Sequence, residues 1–221
     1  MENPNLNQEV IPVSAFSGIQ FKAVGKILLS QGATESLTIE ADPETRSHIH
    51  TEVKDGVLRI TQDTDWRDWT GFRLIDRGLT TFHLVMKDIK TLAISGVGTL
   101  DCAEINSDSL ALNISGPGTM TIGTVKLDTL TVDISGVGSV DIAGSSTDQT
   151  ISLSGAANYK GSRLSSTRST VKLSGVGNAT VWASESLDAT LSGAGVIEYY
   201  GDAKVSQKVS GLGVIKYLGA R

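Results

Sequence analysis

The chain has 221 residues, 24 of them glycine, and a formal net charge of −5 at pH 7. Hydrophobic residues make up 39% but aromatic residues only 5%, so any core must be built mainly from Val, Ile, Leu and Ala. Charges of both signs are interspersed without a basic stripe, which argues against a nucleic-acid partner, and no apolar run reaches the roughly 18 residues that a membrane span needs. Cys102 is the single cysteine, which excludes an internal disulfide and a multi-cysteine metal site.

The N-terminal residues are polar. The opening stretch, MENPNLNQEV, has neither the basic region nor the apolar stretch of a signal peptide. We expect residues 1–12 to form a flexible tail, followed by one β-helix domain over residues 13–221.

Residues 13–62 carry short alternations of apolar and polar residues separated by turn signals. Ile19 with Phe21, and Leu58 with Ile60, indicate strands, and Asp42-Pro43 indicates a turn. This stretch lacks a clean copy of the repeat described below. We therefore predict irregular first coils that cover the N-terminal end of the domain.

His48, His50 and Glu52 alternate along the chain. On a strand they would share one face, where two imidazoles and a carboxylate could hold Zn²⁺. The alternative is an exposed strand that follows a turn. The sequence leaves both interpretations open.

Residues 63–80 form the most distinctive segment outside the repeat, because they place aromatic rings among charges. Rings beside Asp and Arg are typical of a sugar- or peptide-binding surface, whereas a structural cap folding its rings over the coil is the alternative. The candidate ligand or partner residues are Trp66, Arg67, Asp68, Trp69, Phe72 and Arg73.

Residues 91–219 repeat a variant of Ser-Gly-x-Gly seven times at a spacing of 18 to 20 residues. An aliphatic residue precedes each Ser, and apolar residues alternate on both sides of the motif, which indicates two short strands per unit. The connections are too short to hold a crossover helix. The period predicts an all-β fold, a single-stranded parallel β-solenoid (a right-handed β-helix) with about 18–20 residues per coil.

The motif glycines are predicted to serve a corner where φ is positive and where adjacent coils approach closely. The fourth unit, Ser154-Gly155-Ala156-Ala157, departs from the motif, and Tyr159 follows it, so a bulge is expected there. The structural corner residues are Ser95, Gly96, Gly98, Ser115, Gly116, Gly118, Ser135, Gly136, Gly138, Ser174, Gly175 and Gly177.

The sequence offers little catalytic chemistry. Asp101 and Asp141 share an outward position two coils apart, about 9.6 Å by strand spacing, which is near the carboxylate separation of inverting glycosidases. Thr121 lies between them and charges of both signs continue the row, so a solvated mixed-charge face is the better interpretation. No third Gly or Gly-Lys-Ser/Thr follows the motif glycines, so no phosphate loop is predicted, and no cofactor is expected.

The pattern resembles the family called putative auto-transporter adhesin, head GIN domain. The features that carry the resemblance are Phe16-Ser17-Gly18-Ile19, Gln31-Gly32, Ala41-Asp42, the stretch from Val53 to Ile60, and the Ile-Ser-Gly-Val-Gly units. It extends from about Val13 to Gly219. The resemblance implies a β-helical protein of the bacterial envelope or secreted outside the cell, and it brings no catalytic residues.

Two functions are therefore considered. The first is a non-catalytic adhesion or structural interaction module that binds a surface glycan or protein through its long faces and the aromatic segment. The alternative is a carbohydrate-active enzyme or glycan-binding protein on a β-helix scaffold. Exposed solenoid ends also suggest a homodimer that pairs end to end.

Overall fold

In a computed structural model, residues 7–63 and 80–221 are described. They form a nearly all-β molecule in which one 17-stranded sheet winds into a parallel solenoid of about six turns. The predicted fold class is therefore confirmed. The helix bounds and strand bounds in chain order are β1 Asn7–Ile11, β2 Gly18–Lys22, β3 Val24–Gln31, β4 Ser36–Ala41, α1 Pro43–Ser47, β5 Ile49–Lys54, β6 Val57–Gln62, β7 Thr81–Met86, β8 Thr91–Ile94, β9 Val97–Asn106, β10 Ser109–Ile114, β11 Pro117–Ile134, β12 Val137–Leu153, β13 Ala156–Leu173, β14 Val176–Leu191, β15 Ala194–Tyr200, β16 Lys204–Val209 and β17 Leu212–Gly219.

The coils stack in the register that the repeat predicts. Ile94 pairs with Ile114, and Ile114 pairs with Ile134, in parallel ladders, and all three side chains are buried. Because side chains alternate across a strand, the residues just before and just after each of these isoleucines in the sequence point outward. Burying each aliphatic side chain is worth about 1.5–3 kcal/mol, so stacking supplies the hydrophobic energy that a single coil lacks.

The N-terminal end differs from the prediction in two ways. Residues 7–11 are not part of a flexible tail, because β1 pairs antiparallel with β4 along its whole length. The turn expected at Asp42-Pro43 is the start of helix α1, with the Asp42 side chain accepting the Thr45 N–H as its N-cap. Antiparallel pairs β4–β7 and β5–β6 complete this end of the solenoid.

The fourth unit contains the expected irregularity. The register shifts between Asp141 and Ala143 on β12 and between Lys160 and Ser165 on β13. Tyr159 points inward and is fully buried, and its OH donates to Gln149 Oε1 at 3.0 Å. A large polar ring inside an aliphatic column displaces the backbone of its coil, which accounts for the bulge.

The last coil, made of β16 and β17, buries its inward residues on one side only. Val209 and Tyr217 occupy inward positions but are 47% and 48% exposed. Within the described residues, no helix has the length and apolar character needed to cross a membrane.

Candidate functional site

The aromatic segment predicted to bind a partner lies outside the described residues, so Trp66, Arg67, Asp68, Trp69, Phe72 and Arg73 stay a prediction. The described residues on either side of it converge on the first residues of β3. The Val24 N–H donates to Gln62 Oε1 at 3.0 Å, and the Lys26 N–H donates to the Thr80 carbonyl at 2.8 Å. Gln62 and Thr80, the described residues near its two ends, therefore both bond to the backbone of β3 near Val24.

The three predicted zinc ligands do not share one face of a strand. His48 is the C-cap of α1, whereas His50 and Glu52 lie on β5. His50 Nε2 lies 2.7 Å from Asp63 Oδ2, and Glu52 accepts from Arg59 at 3.3 Å. In residues 7–63 and 80–221, no three His, Cys, Asp or Glu side chains are grouped closely enough to hold a metal. Zinc binding by these residues stays a prediction.

Each Ser-Gly-x-Gly corner is hydrogen-bonded to the preceding coil. In the coil of Ser135, the N–H groups of Ser135 and Gly136 both donate to the Ile114 carbonyl, at 2.9 and 3.2 Å. A Cβ on Gly136 would lie 2.5 Å from the carbonyl oxygens of Ser115 and Gly116. Real Cβ atoms do not approach so closely, so the corner requires glycine because of backbone contact between coils.

The expectation of positive φ at the corner is wrong for the first glycine of the motif, and it is also wrong for Gly98, Gly118 and Gly138 at the second position. Among the described motif glycines, positive φ falls on the second position, at Gly177 (+147°) and Gly195 (+157°). Gly116 and Gly136, at the first position, do not have a positive φ. Close approach between coils, rather than left-handed backbone, is therefore the reason for the first glycine.

The variable position of the motif forms an exposed apolar row that sequence reasoning did not identify. Its side chains point outward from the first residue of successive strands and are held in parallel register. Val137, Val176 and Leu212 are 61%, 63% and 83% exposed. The apolar row consists of Val97, Pro117, Val137, Ala156, Val176, Ala194 and Leu212, and Val24 precedes it in register with Val97.

The apolar row is the centre of a wider surface without charge. On one side lie the seven motif serines, and on the other lie Thr99, Thr119, Ser139, Asn158, Asn178, Val196 and Val214. We call these three rows of seven residues the neutral strip. Protein surfaces are typically about 25–35% charged, so about five to seven charges would be expected among 21 outward positions. Six coil spacings of about 4.8 Å make the neutral strip about 29 Å long.

The next outward row carries charges, and its two aspartates are each paired with a cation from another row. Asp101 Oδ2 lies 2.8 Å from Lys26 Nζ, and Asp141 Oδ1 lies 3.0 Å from Arg163 Nη2. Thr121 separates the two aspartates in the ladder, as the repeat predicts. Asp101 and Asp141 thus each have their own cation, an arrangement that fits the predicted mixed-charge face.

The one cysteine is poorly suited to act as a nucleophile. Burial raises the pKa of the Cys102 thiol to about 11, and the opposing effect of its hydrogen bond to the Glu104 carbonyl is smaller. The thiolate, which is the reactive form, is therefore scarce at neutral pH.

A second aromatic cluster lies in the last coils and was also missed from the sequence. Trp182 and Tyr200 are ladder partners on β14 and β15, and Arg221 contacts both rings. The Tyr199 and Tyr217 rings contact each other with centroids 5.3 Å apart and planes tilted by 42°. The concentration of three of the four tyrosines after residue 198 is the signal that could have identified this cluster.

Comparisons with known proteins point to one family and one fold. The family model described as putative auto-transporter adhesin, head GIN domain, matches residues 15–203. No curated protein matches the chain.

Solved structures with the same fold include a putative adhesin from Bacteroides fragilis, with 24% identity, 98% of each chain covered and a TM-score of 0.87. A putative adhesin from Parabacteroides merdae has 20% identity, covers 98% of this chain and 97% of its own, and gives a TM-score of 0.73. A putative lipid binding protein from Parabacteroides distasonis has 19% identity, 98% coverage of both chains and a TM-score of 0.72. At these identities the likeness establishes the fold alone.

Proposed function

Since the chain belongs to the putative auto-transporter adhesin, head GIN domain family, we propose that it is a non-catalytic interaction module of the cell envelope or the secreted fraction. It attaches to an uncharged surface, a glycan or a protein, through the neutral strip. The observation that carries this proposal is the exposed apolar row, flanked on one side by the motif serines and on the other by uncharged residues that are polar in the first five coils of the repeat. Exposed apolar surface of this extent marks interaction sites on many proteins.

The composition of the neutral strip limits its partners. A surface without charge cannot neutralise phosphates or anionic headgroups, so nucleic acid and acidic membranes fit poorly. Hydroxyl and amide groups on both sides of the apolar row can exchange hydrogen bonds with an uncharged polar partner. The first five coils of the repeat present this combination about every 4.8 Å, which suits a partner that extends along the solenoid axis.

The aromatic segment is proposed to add contacts at the N-terminal end of the neutral strip. Its flanking residues, Gln62 and Thr80, bond to the backbone of Val24 and Lys26, and Val24 precedes the apolar row in register with Val97. Trp66→Ala with Trp69→Ala separates the two interpretations of the segment. Lower binding at unchanged thermal stability supports a binding role, and lower thermal stability at unchanged binding supports a cap.

The experiment that tests the proposed function places charge on the neutral strip. Val137→Lys with Val176→Lys puts two cations in the apolar row, two coils apart. The matched control, Thr131→Lys with Thr170→Lys, makes the same change on another outward face with the same spacing. Purified proteins are compared on a neutral glycan array and a panel of immobilised matrix proteins, together with a polysaccharide degradation assay.

We expect the wild type and the control to bind at least one uncharged surface without degrading any polysaccharide. The strip variant should bind about tenfold or more weakly, because burying an unpaired charge costs at least about 1–3 kcal/mol. Equal binding by the strip variant would contradict the role of the neutral strip. Turnover of a polysaccharide would favour the enzyme alternative.

End-to-end pairing of two copies is a further proposal. The half-exposed inward residues Val209 and Tyr217 of the last described coil support it, whereas Lys204, Lys208 and Lys216 on the same coil oppose it at low salt. Sedimentation should therefore show more dimer as salt rises, because salt screens the repulsion. A monomer at every salt concentration would contradict the pairing.

A further inference from the structure

Trp182 and Tyr200 occupy outward positions where the preceding coils carry polar side chains. In the same ladder, Asn106, Lys126, Ser145 and Ser165 precede Trp182, and Gly219 follows Tyr200. The repeat does not require aromatic rings at this position. Both rings are only half-buried, and Gly219, the ladder partner of Tyr200 in the last coil, places no side chain beside them.

The Arg221 guanidinium lies over both rings. Its central carbon lies 4.0 Å from the centroid of the Tyr200 ring and 5.8 Å from that of Trp182. Its Nη1 donates to the Ser162 carbonyl. Among the described residues, no carboxylate lies within ion-pair distance of Arg221. The cation is therefore held by two ring faces and one neutral acceptor.

From this geometry we propose that Trp182, Tyr200 and the Ser162 carbonyl form a guanidinium-binding site, which takes an arginine side chain of a protein partner and which Arg221 fills in its absence. A planar guanidinium can stack on a ring and donate to a carbonyl at once, whereas an ammonium cannot stack. Every contact that Arg221 makes is available equally to another arginine. Arg221 is thus a competitor within the same chain.

The site lies on the sheet face that also carries the apolar row. Val176, Asn178, Thr180 and Trp182 are alternate residues of β14, so their side chains point to the same side. A protein docked on the neutral strip would reach the aromatic pair three outward positions away. The site nevertheless does not depend on the neutral strip, because none of its three contact groups belongs to that surface.

The test is a titration followed by ¹⁹F NMR of 5-fluorotryptophan-labelled protein, with the Trp182 signal assigned from Trp182→Phe. The probe is Nα-acetyl-arginine amide, and Nα-acetyl-lysine amide and a neutral oligosaccharide are the comparison ligands. Arg221→Ala empties the site. Tyr200→Ala in the Arg221→Ala background removes the ring with the shorter contact, and Tyr217→Ala in that background is the matched control.

With Arg221→Ala we expect a saturable shift of the Trp182 signal with a dissociation constant on the order of millimolar, as two ring contacts and one hydrogen bond would give. The wild type should bind about tenfold more weakly because Arg221 occupies the site most of the time. Tyr200→Ala should abolish the shift, and Tyr217→Ala should leave it unchanged.

The absence of a shift in Arg221→Ala would overturn the proposal. Equal responses of the wild type and Arg221→Ala, or equal responses to arginine and lysine amides, would also overturn it. A larger shift with the oligosaccharide would instead assign the rings to a sugar. The Val137→Lys with Val176→Lys variant should keep the arginine response, so failure of the proposed function and failure of this site are distinguishable.

Discussion

At each corner of the solenoid, the backbone of the preceding coil occupies the place where a Cβ on the first motif glycine would lie. A Cβ on Gly175 would lie 2.0 Å from the Gly155 carbonyl oxygen, and one on Gly193 would lie 1.9 Å from that of Gly175. The first motif glycine is therefore fixed by contact between coils. The neighbouring Ser and the variable residue point outward and are free of this restriction.

Gly136→Val should lower the free energy of unfolding by about 2–4 kcal/mol, because the coils must separate to admit the side chain. The measurement is urea denaturation followed by circular dichroism. Ser135→Ala, one residue away but outward-facing, should change stability by less than about 0.5 kcal/mol. Similar losses in the two variants would show that the corner is not held by close backbone contact.

Because the Cys102 thiol is buried, we predict that the free energy of unfolding falls at alkaline pH. The folded thiol has its pKa raised to about 11, whereas the thiol of the unfolded chain ionises near its ordinary value. Between these values the unfolded chain releases a proton that the folded chain retains, so stability falls as pH rises, by at most about 1.4 kcal/mol per pH unit.

Denaturation curves between pH 8 and pH 11 measure this effect as the difference between the wild type and Cys102→Ala. The contribution of the thiol should be fully present below the unfolded pKa and should decline through that range. A difference that does not change with pH would contradict a buried, neutral thiol.

At the scale of elements, strands β12 and β13 show how one polar side chain alters a regular coil. Tyr159 fills space next to Gly161, where a Cβ would lie 2.5 Å from the ring. Gln149 accepts from the Tyr159 OH and donates to Ser166 and Ser169, both at 2.8 Å. The network satisfies these polar groups inside the column, which is why they can be tolerated there.

Tyr159→Phe should cost about 1–2 kcal/mol, because it leaves Gln149 Oε1 without its donor while the ring still fills the space. Gly161→Ala should cost more, because the added Cβ displaces the ring itself. Thermal unfolding of both variants shows which substitution lowers stability more. If Tyr159→Phe were the more destabilising of the two, the packing explanation of the bulge would be wrong.

At the scale of the whole molecule, the features that could be predicted from the sequence are those that follow from its repeat, namely the solenoid and the stacking of its coils. The file of Ile94, Ile114 and Ile134 follows from two periods together, alternation within a strand and recurrence every 20 residues. The pairing of β1 with β4 could not be predicted, because Asn7–Ile11 shows no alternation and its partner lies about thirty residues away. Antiparallel capping strands have no repeat that would reveal them.

The candidate surfaces were harder to predict than the fold. The variable position of the motif points outward because the alternation of inward and outward residues continues from Ile94 through the corner to Leu100. The apolar row becomes visible only when that alternation is followed through the two glycines. Trp182 and Tyr200 pair in an unbroken register that begins at Val176 and Ala194, so the motif spacing of 18 residues aligns them. The contact of Arg221 with both rings could not be predicted, because Arg221 lies outside the repeat and its position depends on how the chain folds after β17.

The central claim is that the apolar row forms one straight file across six coil spacings. Double electron–electron resonance tests this most directly, with spin labels at Val97 and Val176 in one sample and at Val97 and Leu212 in another, both in a Cys102→Ala background. At about 4.8 Å per coil, the separations between the labelled backbone positions should be about 19 Å and about 29 Å. Distances that do not increase by about 10 Å from the first pair to the second would contradict the stacked file, and with it the neutral strip.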